Sequence, residues 1–456
     1  MISTRIMAVS AVACLLLLSG CASRQWNQPI TGSTSARTYR LSDQHAGDNA
    51  KDVFVILAFS GGGMRSAAFS YGTLKALRDT EVTIHGKTRS LLDEVDVISS
   101  VSGGSYTAAY YGLFGQRIFQ DYERDFLLRD VEGEMLSTLA NPSNLLSLTS
   151  SRFNRGDLAA QWLDNYIFEH KTFASMSRDG LPYIILNASD LNTGMTFSFV
   201  PQQFDFLCSD LNAYPVANAV MASSAVPGIF APISLHNFDE NCAQRRQEWV
   251  FRALNAGTGK DRNYEVAREL EQYFRPGDMP VIRLVDGGVT DNLGVRGSIM
   301  SRVLHYGHAT RMSGAFTAAE LDQIVDVLVV VANAQIYSPY EWSLKGKDPG
   351  LIDMIFASFD ASLNLLNSET IQRAHQNFQA WADIVNSRRA PRAAKVRVHF
   401  VSLTFDDIAD HSERQKFNAI PTNLSLTHQQ VEDVVALAPR LLDRSPEFHR
   451  FRLTLP

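Results

Sequence analysis

Six short runs rich in Val and Ile recur along the chain, and they limit its possible folds more than any other feature. In each run the apolar residues are largely continuous rather than alternating. This pattern is typical of strands that are buried on both faces of a parallel sheet. The runs are Val53 to Phe59, Val95 to Ser99, Tyr183 to Asn187, Val281 to Val285, Val325 to Ala332 and Val396 to Leu403.

Longer helix-compatible stretches separate these runs. They are Ser66 to Arg78, Tyr106 to Phe114, Asp157 to Phe168, Val216 to Ala222, Tyr264 to Phe274, Asp353 to Ser387 and Thr427 to Leu442. Strands that alternate with helices predict an α/β sandwich with a mostly parallel central sheet. No Pro- or Gly-rich linker clearly divides the chain, so we expect a core over residues 51–335 and a C-terminal α/β extension over 336–456, packed on the same domain.

The N-terminus has the features of an export signal. Arg5 supplies a positive charge, and Ile6 to Leu18 form an apolar run that is too short to span a bilayer. The segment Leu18-Ser19-Gly20-Cys21 resembles the bacterial lipobox. It predicts a lipoprotein signal peptide over residues 1–20 and lipidation of Cys21, with an ordinary secretory signal as the alternative.

The residues after Cys21 indicate where such a lipoprotein would reside. An acidic residue directly after the lipidated cysteine resembles a signal for retention at the inner membrane. Ala22 and Ser23 occupy these positions, so that signal is missing. We therefore expect a lipid-anchored protein of the cell envelope, at the outer membrane of a Gram-negative bacterium. Residues 21–50 are rich in small and polar side chains, and this composition predicts a flexible tether.

Charge and cysteine content narrow the choice of partners. A formal net charge of -6 argues against a nucleic-acid partner. Cys208 and Cys242 are the two cysteines outside the signal peptide and the lipid anchor. In an oxidising compartment they could form a disulfide. The sequence does not fix their Cα separation, so pairing and two free thiols both stay open. No Cys or His spacing indicates a metal, no calcium-loop pattern is present, and the oligomeric state stays open.

A serine lies where the second strand turns into a helix. Ser102 follows Val95 to Ser99 and precedes Gly103 and Gly104, which is the context of a nucleophile elbow. The residues two before and two after the nucleophile must be small, and Ser100 and Gly104 meet that need although glycine is usual at the first position. A structural Gly/Ser-rich turn is the alternative.

Three consecutive glycines, Gly61, Gly62 and Gly63, follow the first strand and precede a helix. Their backbone N–H groups would form a nest for an anion at the helix N-terminus. The phosphate-loop and dinucleotide patterns do not fit, so a developing oxyanion is the expected guest, and a tight structural turn is the alternative. Arg65 is a tentative substrate-binding residue that could meet a lipid phosphate, although bracing of the loop is slightly favoured.

Asp286 ends the fourth strand and is followed by Gly287 and Gly288. At the carboxyl edge of a parallel sheet it would lie where ligands bind, and its carboxylate could take the proton of Ser102. Asp291 is the competing candidate for this role.

Together these segments resemble the patatin-like phospholipase family. The matches are Gly61 to Arg65 for the oxyanion loop, Ser100 to Gly104 for the elbow, Ala222 to Pro232 for an intervening block, and Asp286 to Gly288 for the catalytic aspartate. They occur in the family's order. The resemblance implies a three-layer α/β/α sandwich and a Ser102–Asp286 dyad without histidine, with Gly61, Gly62, Gly63 and Gly103 forming the oxyanion hole.

The resemblance also implies the activity, a membrane-anchored serine lipid acyl hydrolase of the phospholipase A or lysophospholipase type, with no cofactor. A broad carboxylesterase is the first alternative. The second is a binding or scaffold lipoprotein with little turnover, for which Ser60, Ser66 and Ser100 are hints because they replace residues common in the family. A Ser-Asp-His triad stays possible from chain order, with candidates His305, His308, His375, His399, His411, His428 and His449.

Overall fold

A computed structural model describes residues 26–30, 39, 49–141, 153–176, 180–238, 242, 248–256, 262–297, 323–337 and 341–456. The strands are β1 (Gln28–Pro29), β2 (Val53–Phe59), β3 (Glu81–Ile84), β4 (Lys87–Ser90), β5 (Val95–Val101), β6 (Tyr183–Asp190), β7 (Thr196–Ser198), β8 (Ser209–Asp210), β9 (Ile233–His236), β10 (Val281–Asp286), β11 (Asp326–Asn333) and β12 (Arg397–Thr404). All six predicted runs form strands.

The helices begin with α1 (Gly63–Asp79) and α2 (Gly103–Phe114), which directly follow β2 and β5. The others are α3 (Val131–Ala140), α4 (Arg155–Tyr166), α5 (Pro201–Asp205), α6 (Val216–Ser223), α7 (Glu248–Asn255), α8 (Arg262–Glu271), α9 (Gly288–Asp291), α10 (Glu341–Leu344), α11 (Leu351–Arg388), α12 (His411–Asn418), α13 (His428–Arg444) and α14 (Pro446–Thr454). Each predicted helix is present, with small shifts of its ends.

Within the described chain, eight strands form one mixed sheet in the order β12-β11-β2-β5-β6-β10-β9, with β7 paired to β6. The strands from β12 to β6 are parallel to one another. Strands β2, β5, β6 and β11 are buried at every residue, which explains their continuous apolar sequences. Helices flank the sheet, so the predicted α/β/α sandwich with a mostly parallel sheet is confirmed.

One strand runs against the expected direction. β10 is antiparallel to β6, with Asp286 opposite Ala188 and Leu284 opposite Asp190, the last residue of β6. β10 therefore starts beyond the carboxyl edge of the parallel strands and runs inward. The inward direction brings its last residue, Asp286, level with the end of β5, because Asn187 is already paired with Val101.

The C-terminal stretch forms part of the central sheet. β12 is an edge strand paired along its whole length with β11. α13 packs against α1 at Gly72, where a Cβ would overlap the carbonyl oxygen of Val435. Residues 336–456 thus complete the sandwich.

Within the predicted tether over residues 21–50, described residues contact the folded domain. Asn27 exchanges two hydrogen bonds with the backbone of His236, at 2.8 and 2.9 Å. The buried Tyr39 hydroxyl bonds to both the carbonyl and the N–H of Ile184 at 2.7 Å. These side chains attach the described residues Asn27 and Tyr39 to the fold, whereas the small polar residues of the segment predict a tether.

The signal peptide and Cys21 lie outside the described residues. Among the helices that are described, none combines the length and the apolar character needed to cross a membrane.

Candidate active site

Ser102 lies at the sharp turn between β5 and α2. Its backbone angles, φ 48° and ψ −120°, fall in a region that side-chain-bearing residues rarely adopt. The turn directs the hydroxyl towards β10, where Ser102 Oγ donates to Asp286 Oδ2 at 2.7 Å. The structure thus brings together the two residues that sequence reasoning selected as nucleophile and base.

Close packing around the turn explains its small residues. A Cβ at Gly104 would lie 2.6 Å from the Cβ of Phe59 and 2.8 Å from the carbonyl oxygen of Ser60, so glycine is required there. Ser100 is accommodated because its hydroxyl lies in a buried polar layer. It accepts from Ser105 Oγ at 3.2 Å and points to the carbonyl of Ile185 at 3.4 Å.

Ser223, at the end of α6, holds the backbone of the nucleophile. Its hydroxyl accepts the N–H of Ser102 at 2.8 Å and donates to the carbonyl of Asn187 at 2.6 Å. The carbonyl of Ser223 accepts the N–H of Gly287 at 3.0 Å, directly after Asp286. Ser223 therefore holds both the backbone of Ser102 and the backbone that follows Asp286. Sequence reasoning matched this block to the family pattern without giving Ser223 a role.

Asp286 is a buried carboxylate, 4% exposed. Burial raises its pKa to about 6, against the opposing effect of hydrogen bonds from Ser102 and from the N–H of Gly288 at 2.8 Å. The carboxylate is therefore ionised at neutral pH and is a stronger base than an exposed aspartate. Such a pKa suits a general base that must accept the proton of a serine.

Asp291, the competing candidate, has a different task. Its carboxylate accepts the N–H groups of Leu293 at 3.3 Å and of Arg296 at 2.5 Å. These bonds hold the turn after α9, and burial raises the pKa of the group. The hydroxyl of Ser102 donates to Asp286 and not to Asp291, so Asp286 is the carboxylate of the site.

The glycine loop lies against the elbow, and its N–H groups divide into two sets. The N–H of Gly61 donates to the carbonyl of Asn292 at 2.9 Å. Because this donor is occupied, the assignment of Gly61 to the oxyanion hole is corrected. In the described chain, no acceptor takes the N–H of Gly62, Gly63 or Gly103. A Cβ at Gly103 would overlap the carbonyl oxygen of Gly63, so the two backbones touch beside Ser102.

Arg65 points away from the open side of the loop. Its guanidinium, 2% exposed, donates from Nε to the carbonyl of Ala334 at 2.8 Å, from Nη1 to that of Ile420 at 2.6 Å, and from Nη2 to Thr422 Oγ1 at 2.9 Å. Burial lowers its pKa to about 10. The tentative substrate-binding role is therefore corrected to bracing of the loop, through hydrogen bonds to three neutral oxygens.

The segment that binds Arg65 also supports the glycine loop directly. The carbonyl of Asn423 accepts the N–H of Met64 at 2.8 Å, and a Cβ at Gly63 would lie 2.5 Å from the same oxygen. Residues 420–423 belong to the C-terminal extension and lie outside the four segments that match the family. No local pattern marks them, because their contribution comes mainly from backbone carbonyls.

The hydrogen-bond partners of Ser102 and Asp286 in the described residues include no histidine. Two of the candidate histidines have other partners: His399 bonds to Glu447, and His449 bonds to a backbone carbonyl in α13. His305 and His308 lie outside the described residues.

Cys208 and Cys242 form a disulfide. In the described part of the chain, no group of three or more His, Cys, Asp or Glu side chains could hold a metal ion.

Comparison with known proteins adds a family match. The family model named patatin-like phospholipase matches residues 57–299, more than half of the chain. No curated protein matches the sequence.

Two solved structures are similar at low identity. Human GIVD cytosolic phospholipase A2 is 13% identical with a TM-score of 0.45, and the alignment covers 88% of this chain and 63% of that one. VipD from Legionella pneumophila is 11% identical with a TM-score of 0.30, and the alignment covers 92% of this chain and 70% of that one. The chain therefore spans less than two thirds of the human phospholipase.

Proposed function

Because the chain belongs to the patatin-like phospholipase family, we propose that it is a serine lipid acyl hydrolase of the phospholipase A or lysophospholipase type. The observation that carries this proposal is the buried hydrogen bond of 2.7 Å from Ser102 Oγ to Asp286 Oδ2. A strained serine, paired with a carboxylate of pKa about 6, has the two properties that nucleophilic attack on an ester requires.

Acylation begins when Ser102 Oγ attacks the ester carbonyl carbon and its proton passes to Asp286 Oδ2. The carbonyl oxygen becomes an oxyanion, which the unoccupied N–H groups of Gly62, Gly63 and Gly103 stabilise by hydrogen bonds. When the tetrahedral intermediate collapses, the ester's alcohol leaves and takes the proton from Asp286. The acyl group stays on Ser102.

Deacylation repeats these steps with water. Asp286 accepts a proton from the water as its oxygen attacks the acyl carbon, and the same N–H groups stabilise the second oxyanion. Collapse releases the fatty acid and returns the proton to Ser102. The two residues thus complete the cycle without a histidine.

The proposal includes the place of action. A lipid on Cys21 would anchor the protein at the cell envelope, with the outer membrane of a Gram-negative bacterium as the proposed site. Trp26 packs against the core of the folded domain and lies five positions after the anchored cysteine. An anchored enzyme would therefore be held close to its lipid substrate.

The test is fatty-acid release from phospholipid vesicles by the full chain, with Ser102→Ala and Asp286→Ala compared with the parent. Ser412→Ala and Asp443→Ala, at exposed positions on α12 and α13, are the matched controls. We expect release by the parent and both controls, and loss in the two site variants with unchanged circular dichroism.

A fluorophosphonate probe separates the alternatives. It should label the parent and not Ser102→Ala, since it reacts with an activated serine. Hydrolysis of short-chain esters without phospholipid hydrolysis would favour a broad carboxylesterase. No labelling and no turnover of either substrate would overturn the enzyme proposal in favour of a scaffold.

A further inference from the structure

The loop between α6 and β9 carries an exposed apolar turn beside the site. This apolar tip comprises Val226–Phe230, and it begins one residue after Ala225, whose carbonyl accepts the N–H of Asp286 at 2.9 Å. The N–H groups of Ile229 and Phe230 both donate to the carbonyl of Val226, at 3.1 and 3.0 Å. The tip is thus a closed turn anchored next to the carboxylate.

The tip projects away from the domain. Ile229 is 51% exposed, and Pro227 and Gly228 are exposed as well. A Cβ at Gly228 would meet no atom within 4 Å, so this end of the turn faces open space. Phe230 packs partly against the core and supports the turn from below.

The residues around the tip are suited to contact with a lipid surface, because they combine an uncharged stretch, a second exposed apolar side chain and a cation. No residue between Leu211 and Leu235 carries a charge. Leu191, also 51% exposed, follows β6, and its N–H donates to the carbonyl of Arg283 at 3.0 Å. Since β10 lies between β6 and β9, Leu191 and the tip lie on either side of it. The exposed side chain of Arg283 adds a cation that can meet lipid phosphates.

The N-terminal segment is attached to β9, the strand that follows the tip. Asn27 bonds to His236, the last residue of β9, whereas the tip ends two residues before the first residue of this four-residue strand, Ile233. Five residues of fully extended chain span at most about 18 Å, so a lipid on Cys21 would hold the bilayer within about 18 Å of Trp26, next to the strand that follows the tip. Because the connection from Cys21 to Trp26 is short, the bilayer that holds the lipid is the neighbour that we infer for the tip.

We propose that the apolar tip Val226–Phe230 inserts into the surface of a phospholipid bilayer and thereby places the Ser102–Asp286 pair at the lipid–water boundary. The inference rests on the proposed lipid hydrolase function, because the substrate must pass from the bilayer to Ser102. An apolar side chain that enters the acyl boundary gains the free energy of leaving water.

The first test locates the tip relative to lipid without using activity. Full-length Ile229→Cys is labelled with an environment-sensitive fluorophore and mixed with phosphatidylcholine–phosphatidylethanolamine vesicles that contain a brominated quencher lipid. Leu453→Cys is the control, because Leu453 is 86% exposed and its neighbour Thr454 bonds to Asp326 on β11, four strands away from β10 in the sheet. The parent chain, labelled in the same way, gives the background from other cysteines.

We expect a blue shift and quenching at position 229 and neither at 453. Absence of quenching at 229, or equal quenching at both positions, would overturn the proposal. A blue shift at 229 that follows protein concentration without vesicles would also overturn it, since the occupant would then be a second copy of the chain.

The second test separates this inference from the proposed function. Ile229→Asp should lower fatty-acid release from vesicles by about tenfold or more, because a charge replaces the apolar side chain that enters the bilayer, while turnover of a soluble short-chain ester is retained. Equal loss on both substrates would contradict a membrane role. If the parent hydrolyses neither substrate, the proposed function fails, and the quenching result still decides the role of the tip.

Discussion

Activity is expected to fall on the acid side of neutrality, because Asp286 must be ionised to accept the proton of Ser102. Burial raises the pKa of this carboxyl to about 6. With that pKa, about nine tenths of the molecules are ionised at pH 7 and about one tenth at pH 5. We therefore expect kcat/KM to drop about tenfold between pH 7 and pH 5, a range in which an exposed aspartate stays almost fully ionised.

The same carboxyl should lower stability as the pH rises. Its folded-state pKa, about 6, lies above the ordinary value of 3.8, so the folded protein binds the proton more tightly than the unfolded chain. This contribution to the free energy of unfolding is complete below the ordinary pKa and is lost as the pH passes the folded-state pKa. A difference of about two pKa units corresponds to about 3 kcal/mol.

Asp286→Asn separates the two effects because an amide of the same size does not ionise. We expect the variant to be inactive and, at pH 8, up to about 3 kcal/mol more stable than the parent, with the advantage disappearing below about pH 4. Other carboxyls titrate in both proteins, so their contributions cancel in the difference.

The assay pairs a pH profile of kcat/KM on a soluble ester with urea unfolding at several pH values. A soluble ester avoids the surface pH of vesicles. Asp443→Asn, an exposed position on α13, is the control and should follow the parent in both measurements. Unchanged activity at pH 5, or an Asp286→Asn variant that is less stable than the parent at pH 8, would refute the reasoning.

Two further predictions concern residues that hold the site or the fold in place. Arg65→Lys replaces a fork of donors, one of them bonded to the carbonyl of Ile420, by a single ammonium, so it should lower kcat on soluble esters with little change in KM. A raised KM confined to phospholipid would instead indicate a headgroup contact. The double variant Cys208→Ser, Cys242→Ser opens a disulfide with a sequence separation of 34 and should lose about 3–4 kcal/mol in urea unfolding. Equal unfolding midpoints for the parent with and without reductant would contradict this estimate.

The local parts of the fold could be predicted from the sequence because each has a local cause. The parallel strands are buried on both faces, so their apolar residues are continuous and easy to recognise. The elbow at Ser102 requires small neighbours. Glycine is required at position 104 because a Cβ there would overlap Phe59 and Ser60, at the end of β2. Motif order was enough to pair Ser102 with Asp286.

The errors have long-range causes. The direction of β10 depends on pairing with both β6 and β9, which the sequence of β10 does not record. The N–H of Gly61 is occupied by Asn292, a residue more than 200 positions away. The role of Arg65 depends on Ile420, 355 positions away, whose contribution is a backbone carbonyl. Partners of this kind leave no sequence pattern beside the motif they support.

The three serines that replace common family residues bear on the scaffold alternative. Ser60 Oγ accepts the N–H of Ala334 at 2.9 Å and donates to the carbonyl of Gly61 at 2.9 Å, which ties the glycine loop to the end of β11. The Ser66 hydroxyl donates to the carbonyl of Ser60. With Ser100 bonded beneath the elbow, all three hydroxyls have partners within the fold. They therefore stabilise the loop and the elbow. None of them replaces a group that the proposed reaction uses, which are the carboxylate of Asp286, the hydroxyl of Ser102 and the N–H groups of Gly62, Gly63 and Gly103. The substitutions thus give no physical reason for an inactive site, and the case for a scaffold depends on measured turnover alone.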